Sequence, residues 1–161
     1  MTKSIITGLL FIFLLASSAA TNAQSPFQKI VFHASRCFGT CPQIDLQLDS
    51  NRNIYVNRQF FTSKGEQDKV HSGQFTGVLD NAAYKQLVKI LAASDIEHWS
   101  FPDIDCCDGA ITTLIIYRNN KRTYLKSMTP PQESAALISF LSKIGQSPDL
   151  SRTFEQRKLE E

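Results

Sequence analysis

The chain has 161 residues, with 17 basic and 15 acidic side chains, a formal net charge of +2, and 42% hydrophobic residues that include 11 phenylalanines. That length suits one domain with a sizeable core and is too short for two, and the apolar content excludes a disordered chain. The near-balanced charge, with no Lys/Arg block, leaves no footprint for a nucleic acid or an anionic membrane surface as partner.

Residues 1–23 read as a cleavable secretory signal peptide. Met1-Thr2-Lys3 supplies a positive start, residues 5–15 are uncharged and apolar apart from Thr7 and Gly8, and Thr21-Asn22-Ala23 gives a small-residue cleavage site before Gln24. Cutting after Ala20 is the alternative. An apolar run of this length rises about 16 Å as a helix, roughly half of a ~30 Å hydrocarbon core, so it does not serve as a permanent span. No cysteine lies near the cut, so no lipid anchor and no membrane anchor after signal cleavage is expected. The expected address is the periplasm or the extracellular medium.

Residues 27–34 are β-rich around Ile30, Val31 and Phe32. Residues 35–42 break that pattern with Gly39 and Pro42 and read as a structured loop. Ile44, Leu46 and Leu48 then alternate with Asp45, Gln47 and Asp49, the period of a half-buried strand. The run 49–53 has turn chemistry, and 54–61 returns as the hairpin partner. Residues 62–69 read as a polar loop around Gly65, and 70–78 as a further strand in which Gly73 and Gly77 mark expected bulges.

Asp80 is placed to cap a helix, because its carboxylate can accept from free amides of the next turn. Tyr84, Leu87, Val88 and Leu91 follow at helical spacing, to about Ser94. Residues 96–108 are irregular, with Trp99 and Phe101 read as core. Strands at 111–117 and 121–128 flank Arg118-Asn119-Asn120, a hairpin turn in which Asn tolerates left-handed backbone. Thr129-Pro130-Pro131 opens a last helix with Leu137, Phe140, Leu141 and Ile144 on its apolar face and Gly145 as expected C-cap.

The order β-β-β-β-α-β-β-α with short connections predicts an α+β domain: an antiparallel sheet with the two helices packed on one face. The domain is expected over 24–145, followed by a polar, flexible tail over 146–161. Strand order is not readable.

Four cysteines remain after the signal peptide: Cys37, Cys41, Cys106 and Cys107. An even count in an exported domain points to disulfides, with three possible pairings. Adjacent α-carbons lie about 3.8 Å apart, below the usual disulfide span, so a Cys106–Cys107 ring is strained. Gly39 lets the intervening loop fold back, which makes Cys37–Cys41 feasible. Cross-links from this loop to the Cys106 region would close roughly 70 residues and restrain the unfolded chain by about 4 kcal/mol, against about 2 kcal/mol for the local bridge. On the residues alone, two cross-links between the loops are narrowly preferred, with the local pairing open.

Two other chemistries compete for these cysteines. A thiol–disulfide oxidoreductase would place its dithiol at a helix N-terminus, whereas Cys41-Pro42 runs into alternating strand residues. Cys-x3-Cys-Pro is also similar to a feature of periplasmic copper-delivery proteins of the thioredoxin fold, which makes copper or zinc handling through Cys37 and Cys41 the alternative function, with His33 or His71 as a further ligand. That fold needs a βαβ framework, which this pattern lacks. No metal or cofactor is expected. Asp103, Asp105 and Asp108 resemble calcium ligands, but the run lacks the closing glutamate of an EF-hand and is interrupted by cysteines. His33, His71 and His98 are scattered and read as satisfied or surface histidines. No phosphate loop, nucleophile elbow or zinc-protease helix occurs, so no catalytic residue is assigned.

The block Cys37-Phe38-Gly39-Thr40-Cys41-Pro42 sits between a first strand and an alternating strand pair. A Gly-bearing strand before an Asp-capped helix, Asp108 shortly before the strand at 111–117, and a Pro-initiated final helix complete the pattern. Over residues 29–144 the chain resembles DUF6438, a bacterial family of exported domains of unknown function. The resemblance implies a domain and no activity. It implies local bonding of Cys37 with Cys41, the pair general to the family, and leaves Cys106 and Cys107 as a departure: a strained bridge or reactive thiols.

The expected function is therefore that of a non-enzymatic binding module braced by disulfides. Its contact surface is the loop with Arg36 and Phe38, joined by the loop with Asp105 and Asp108, because loops fixed on a rigid sheet are where binding residues concentrate. The partner expected is a protein or small ligand of the cell envelope.

Overall fold

The computed structural model describes residues 25–103 and 109–161. The signal-peptide reading of 1–23 and the readings of Asp105, Cys106, Cys107 and Asp108 lie outside the described residues.

Alternating residues build the first four strands as a meander: β1 (Lys29–Ala34), β2 (Gln43–Asp49), β3 (Asn53–Ser63) and β4 (Glu66–Val78). At the β2–β3 turn the Asp49 carboxylate accepts from the amides of Asn51 and Asn53, both at 2.9 Å, and Arg52 takes φ 70°. A short acidic side chain thus replaces lost ladder partners. The polar loop expected at 62–69 shrinks to Lys64-Gly65, with Gly65 at φ 85°. Polar residues on both faces conceal a strand pair that stands clear of the core.

Gly73 does mark a bulge. Register passes from Arg58↔Gly73 to Phe60↔Asp68, so Gln59 opposes residues 69–72. Gly73 has φ 128° there, a conformation for which glycine is suited. Ser72 Oγ accepts from the Phe60 amide at 2.9 Å and fills the interrupted ladder. Gly77, also expected as a bulge, keeps regular register opposite Ile54 and instead makes room for the Leu150 side chain.

Asp80 caps α1 (Asn81–Ala93), its carboxylate accepting from the Ala83 amide at 2.8 Å. α1 carries the chain back across the sheet to β5 (Thr112–Arg118), which pairs with β1, and to β6 (Lys121–Ser127). Asn119 and Asn120 turn that hairpin with φ 52° and 59°. A 3-10 turn over Gln132–Ser134 leads into α2 (Ala135–Gly145). Gly145 is the last helical residue, followed by Gln146 in a right-handed conformation, so it is not the left-handed cap expected. What it provides is closeness: a β-carbon at Gly145 would stand 2.6 Å from Ile44 Cγ2.

The sheet order is β6-β5-β1-β2-β3-β4-β7, antiparallel throughout, with β7 (Ser151–Arg152) pairing with β4 at Phe75 and Thr76. One face carries Phe32, Leu46, Val56 and Leu114 against Leu87 of α1 and Leu141 of α2, forming the main core. Trp99 and Phe101 stack at 6.4 Å on its margin. The α+β architecture follows from these alternations.

The run after α2 departs from the expected loose tail. Beyond β7 it turns onto the second face of the sheet, where Leu159, 8% exposed, packs with Val31, Tyr55 and Ile115. The Tyr55 hydroxyl donates to the Glu155 carbonyl at 3.2 Å and accepts from the Arg157 amide at 3.1 Å. This segment, 153–161, we call the strap. Its charge-rich sequence hides a single apolar anchor.

Candidate functional site

The loop after β1 is closed by a disulfide between Cys37 and Cys41, whose α-carbons lie 5.5 Å apart. This overturns the preference for cross-links to the Cys106 region: Gly39 folds the loop back, its amide donating to the Cys37 carbonyl at 2.8 Å. The local pairing agrees with the family resemblance. With the two Sγ atoms joined, neither is a thiolate to hold copper or zinc. The residues that follow Cys41 enter β2, not a helix N-terminus that would lower a thiol pKa.

The root of the loop is tied to the approach to β5. The Ser35 amide donates to the Ile111 carbonyl at 2.9 Å, and Ser35 Oγ accepts from the Ile111 amide at 2.8 Å. Two cation–π contacts of opposite sense hold the ring against the β3–β4 hairpin. The Arg36 guanidinium lies 4.0 Å from the Phe61 ring centre, and the Lys64 ammonium 3.3 Å from that of Phe38. Such contacts contribute about 0.5–1 kcal/mol each at exposed sites. Phe38 remains 66% exposed, at the rim of an open cavity of about 490 Å3 shared with Arg36, Lys64 and Gly109. Arg36 and Phe38 both line this cavity. Phe61, expected only as a strand residue, and Lys64, expected in the 62–69 loop, complete the patch without having been singled out in the sequence.

A second cluster lies under the strap. Lys29 Nζ donates to Glu160 Oε2 at 2.9 Å, Arg122 Nε to Oε1 at 2.8 Å, and the Tyr117 hydroxyl reaches the same carboxylate at 2.7 Å. Lys29, Arg122 and Tyr117, in that order of effect, hold the Glu160 carboxyl down at about 2. His33 lies directly opposite Asp45 in the β1–β2 register. Its Nδ1 is 3.0 Å from Asp45 Oδ1 and its Nε2 2.6 Å from the Glu160 carbonyl. Both partners are acceptors, so the arrangement is satisfied in full only by a ring protonated at both nitrogens. Burial works to lower the His33 pKa; the hydrogen bonds to Asp45 and Glu160 and the charges of Asp45 and Glu161 outweigh it and raise it. Lys126 and Tyr124 of β6 line the adjoining cavity of about 240 Å3.

The other histidines sit in exposed pairs with an aspartate three residues earlier: His71 with Asp68 at 2.6 Å and His98 with Asp95 at 2.8 Å. Among the described residues, no three His, Cys, Asp or Glu side chains are grouped to hold a metal ion, and no helix is long and apolar enough to cross a membrane. A further cavity of about 570 Å3 lies between α1, α2 and β4 and is lined by Leu79, Ile90, Phe140 and Lys143.

The family model described as "Domain of unknown function (DUF6438)" matches residues 28–147, from the start of β1 to just past α2. The chain belongs to the DUF6438 family. None of the curated proteins matches it. The DUF6438 stretch contains the six-strand sheet, both helices and the disulfide loop, while β7 and the strap lie beyond it. The family description attaches no activity to either cluster. What the two clusters offer chemically is an exposed aromatic beside cations and a set of convergent donors; the half-buried His33 has both ring nitrogens engaged.

Proposed function

We propose that this DUF6438 protein is an exported binding module whose contact surface is the disulfide-closed loop carrying Arg36 and Phe38. The observation that carries this reading is the exposure of Phe38, 66%, on a covalently closed five-residue ring. A large aromatic left in water on a flexible loop would lose its conformational freedom on binding; closing the ring removes much of that cost beforehand. Arg36 and Lys64 flank the ring and favour a partner that presents acidic groups beside an apolar surface. The partner class is a protein of the cell envelope or medium, reached after removal of residues 1–23.

The test is site-specific photocross-linking in the expressing cell, with the photoreactive residue at position 38 and, for comparison, at Val78, an exposed position beside α1. A discrete adduct from position 38, lost on Arg36→Glu, is the expected result. Equal adduct patterns from both positions, or capture indifferent to Arg36→Glu, would overturn the proposal.

A further inference from the structure

The strap is held on the sheet in the manner of a bound peptide. Its carboxylate at Glu160 is met by donors from three strands, Lys29 of β1, Tyr117 of β5 and Arg122 of β6. Its apolar residue, Leu159, enters a separate pit formed by Val31, Tyr55 and Ile115. Its main chain is read at the Glu160 carbonyl by His33 and at Glu155 and Arg157 by Tyr55. Side-chain pockets combined with hydrogen bonds to the peptide main chain are the means by which extended peptides are recognised. The receiving residues all lie within the family stretch of 28–147, whereas the strap lies outside it. The receiving face thus lies inside the family stretch and the strap beyond it. Beside Glu161 the groove continues as a cavity of about 240 Å3 lined by Gln43, Thr113, Tyr124 and Lys126.

We propose that the second face of the sheet is a recognition site for an extended peptide bearing an apolar residue followed by glutamate, and that the strap is its displaceable intramolecular occupant. The partner segment replaces Leu159 in the pit and Glu160 on Lys29, Arg122 and Tyr117. An occupant tethered on the same chain competes at a high effective concentration, so an added peptide meets a site already filled.

The experiment compares the full chain with a full-chain variant, Leu159→Ala with Glu160→Ala, in which the strap loses both anchors. Two fluorescent peptides are titrated by anisotropy: one spanning residues 151–161, and an unrelated Gly-Ser-Gly-Leu-Glu-Gly carrying only the apolar–glutamate pair. The released variant is expected to bind both at least about tenfold more tightly than the parent chain. Adding Lys29→Ala and Arg122→Ala to the released variant is expected to abolish both. Hydrogen exchange in β1 and β5 verifies that each variant keeps its sheet. Failure of the released variant to bind either peptide overturns the proposal. Binding of the 151–161 peptide alone reduces the face to a seam for its own tail and overturns it equally, as does equal affinity of parent and released chains. None of these readouts touches Phe38 or Arg36, so this site stands or falls apart from the loop.

Discussion

Arg58 on β3 donates to the carbonyl of Gly145, the last residue of α2, across 3.0 Å. The same nitrogen reaches the Ser147 carbonyl at 2.9 Å, and Nε reaches the His71 carbonyl at 3.1 Å. One cation therefore serves the negative end of a helix and the bulge of β4 at once. Arg58 is 4% exposed and lies over the Phe75 ring at 4.0 Å. Burial, then repulsion from Arg152, lowers its pKa, but a guanidinium stays charged throughout the range in which the protein is folded. Arg58→Met keeps much of the apolar contact and removes the three hydrogen bonds to the His71, Gly145 and Ser147 carbonyls. A loss of about 2–4 kcal/mol is expected, read as a lowered urea midpoint with an unchanged denaturant slope.

Strap attachment is expected to peak in a defined pH window. The Glu160 carboxyl falls from its ordinary 4.5 to about 2 when bound, so its contribution is complete above 4.5 and fades as pH drops toward 2. The His33 pKa is raised above 6.5, so its contribution is complete below 6.5 and is lost as pH rises through the raised value. Above that value the ring keeps one proton and must abandon either Asp45 or the strap carbonyl. Protection of strap amides, corrected for intrinsic exchange, should be greatest between pH 4.5 and 6.5. Salt should lower it, because the Glu160 pairs lie partly in water. A flat profile would show that neither group governs attachment.

Two glycines of the same strand should respond differently to alanine. At Gly73 the φ of 128° is strained for any L side chain, and a β-carbon would meet Arg152 Nη1 at 2.5 Å. Gly73→Ala is expected to cost about 1–3 kcal/mol. It should also loosen the β7 region, since Arg152 Nη2 donates to the Val70 carbonyl at 2.8 Å. At Gly77 the obstacle is Leu150 Cδ2, the far end of a flexible side chain, and the φ is not positive. Gly77→Ala should cost less than Gly73→Ala in the same thermal melt.

Replacing Cys37 and Cys41 by serine opens a five-residue ring and should lower stability by about 2 kcal/mol, the loss appropriate to a short loop. A loss nearer 4 kcal/mol would fit a bridge closing a much longer stretch. The same variant should release Phe38 from Lys64, seen as faster exchange or broader resonances for residues 36–42.

Much of this fold is written in local pattern. Ile44, Leu46 and Leu48 alternate, Asp80 caps a helix and Asn119-Asn120 turns a hairpin, because each depends on residues within a few positions. Strand order does not, since α1 carries the chain from one edge of the meander to the far side of β1. The second face did leave a trace. Ile30-Val31-Phe32 and Leu114-Ile115-Ile116 are apolar without alternation, the mark of strands covered on both sides. What covers them was obscure, because Leu159 stands alone among charged residues. Asp45 was legible as a solvent-side position of its strand and His33 as a satisfied or surface histidine, but their pairing needed a register that a structured loop of eight residues leaves open.

The strap also has a place in time. Lys29 and Glu160 are separated by 131 residues, and the full donor set around Glu160 requires β1, β5 and β6 to be side by side already. Because loop-closure entropy disfavours such a contact until the sheet has formed, we expect it to form after the rate-limiting barrier. Interactions made that late slow unfolding and leave the folding rate unchanged. The strap is then a kinetic bolt: releasing Leu159 and Glu160 should shorten the native lifetime of the sheet without delaying its assembly.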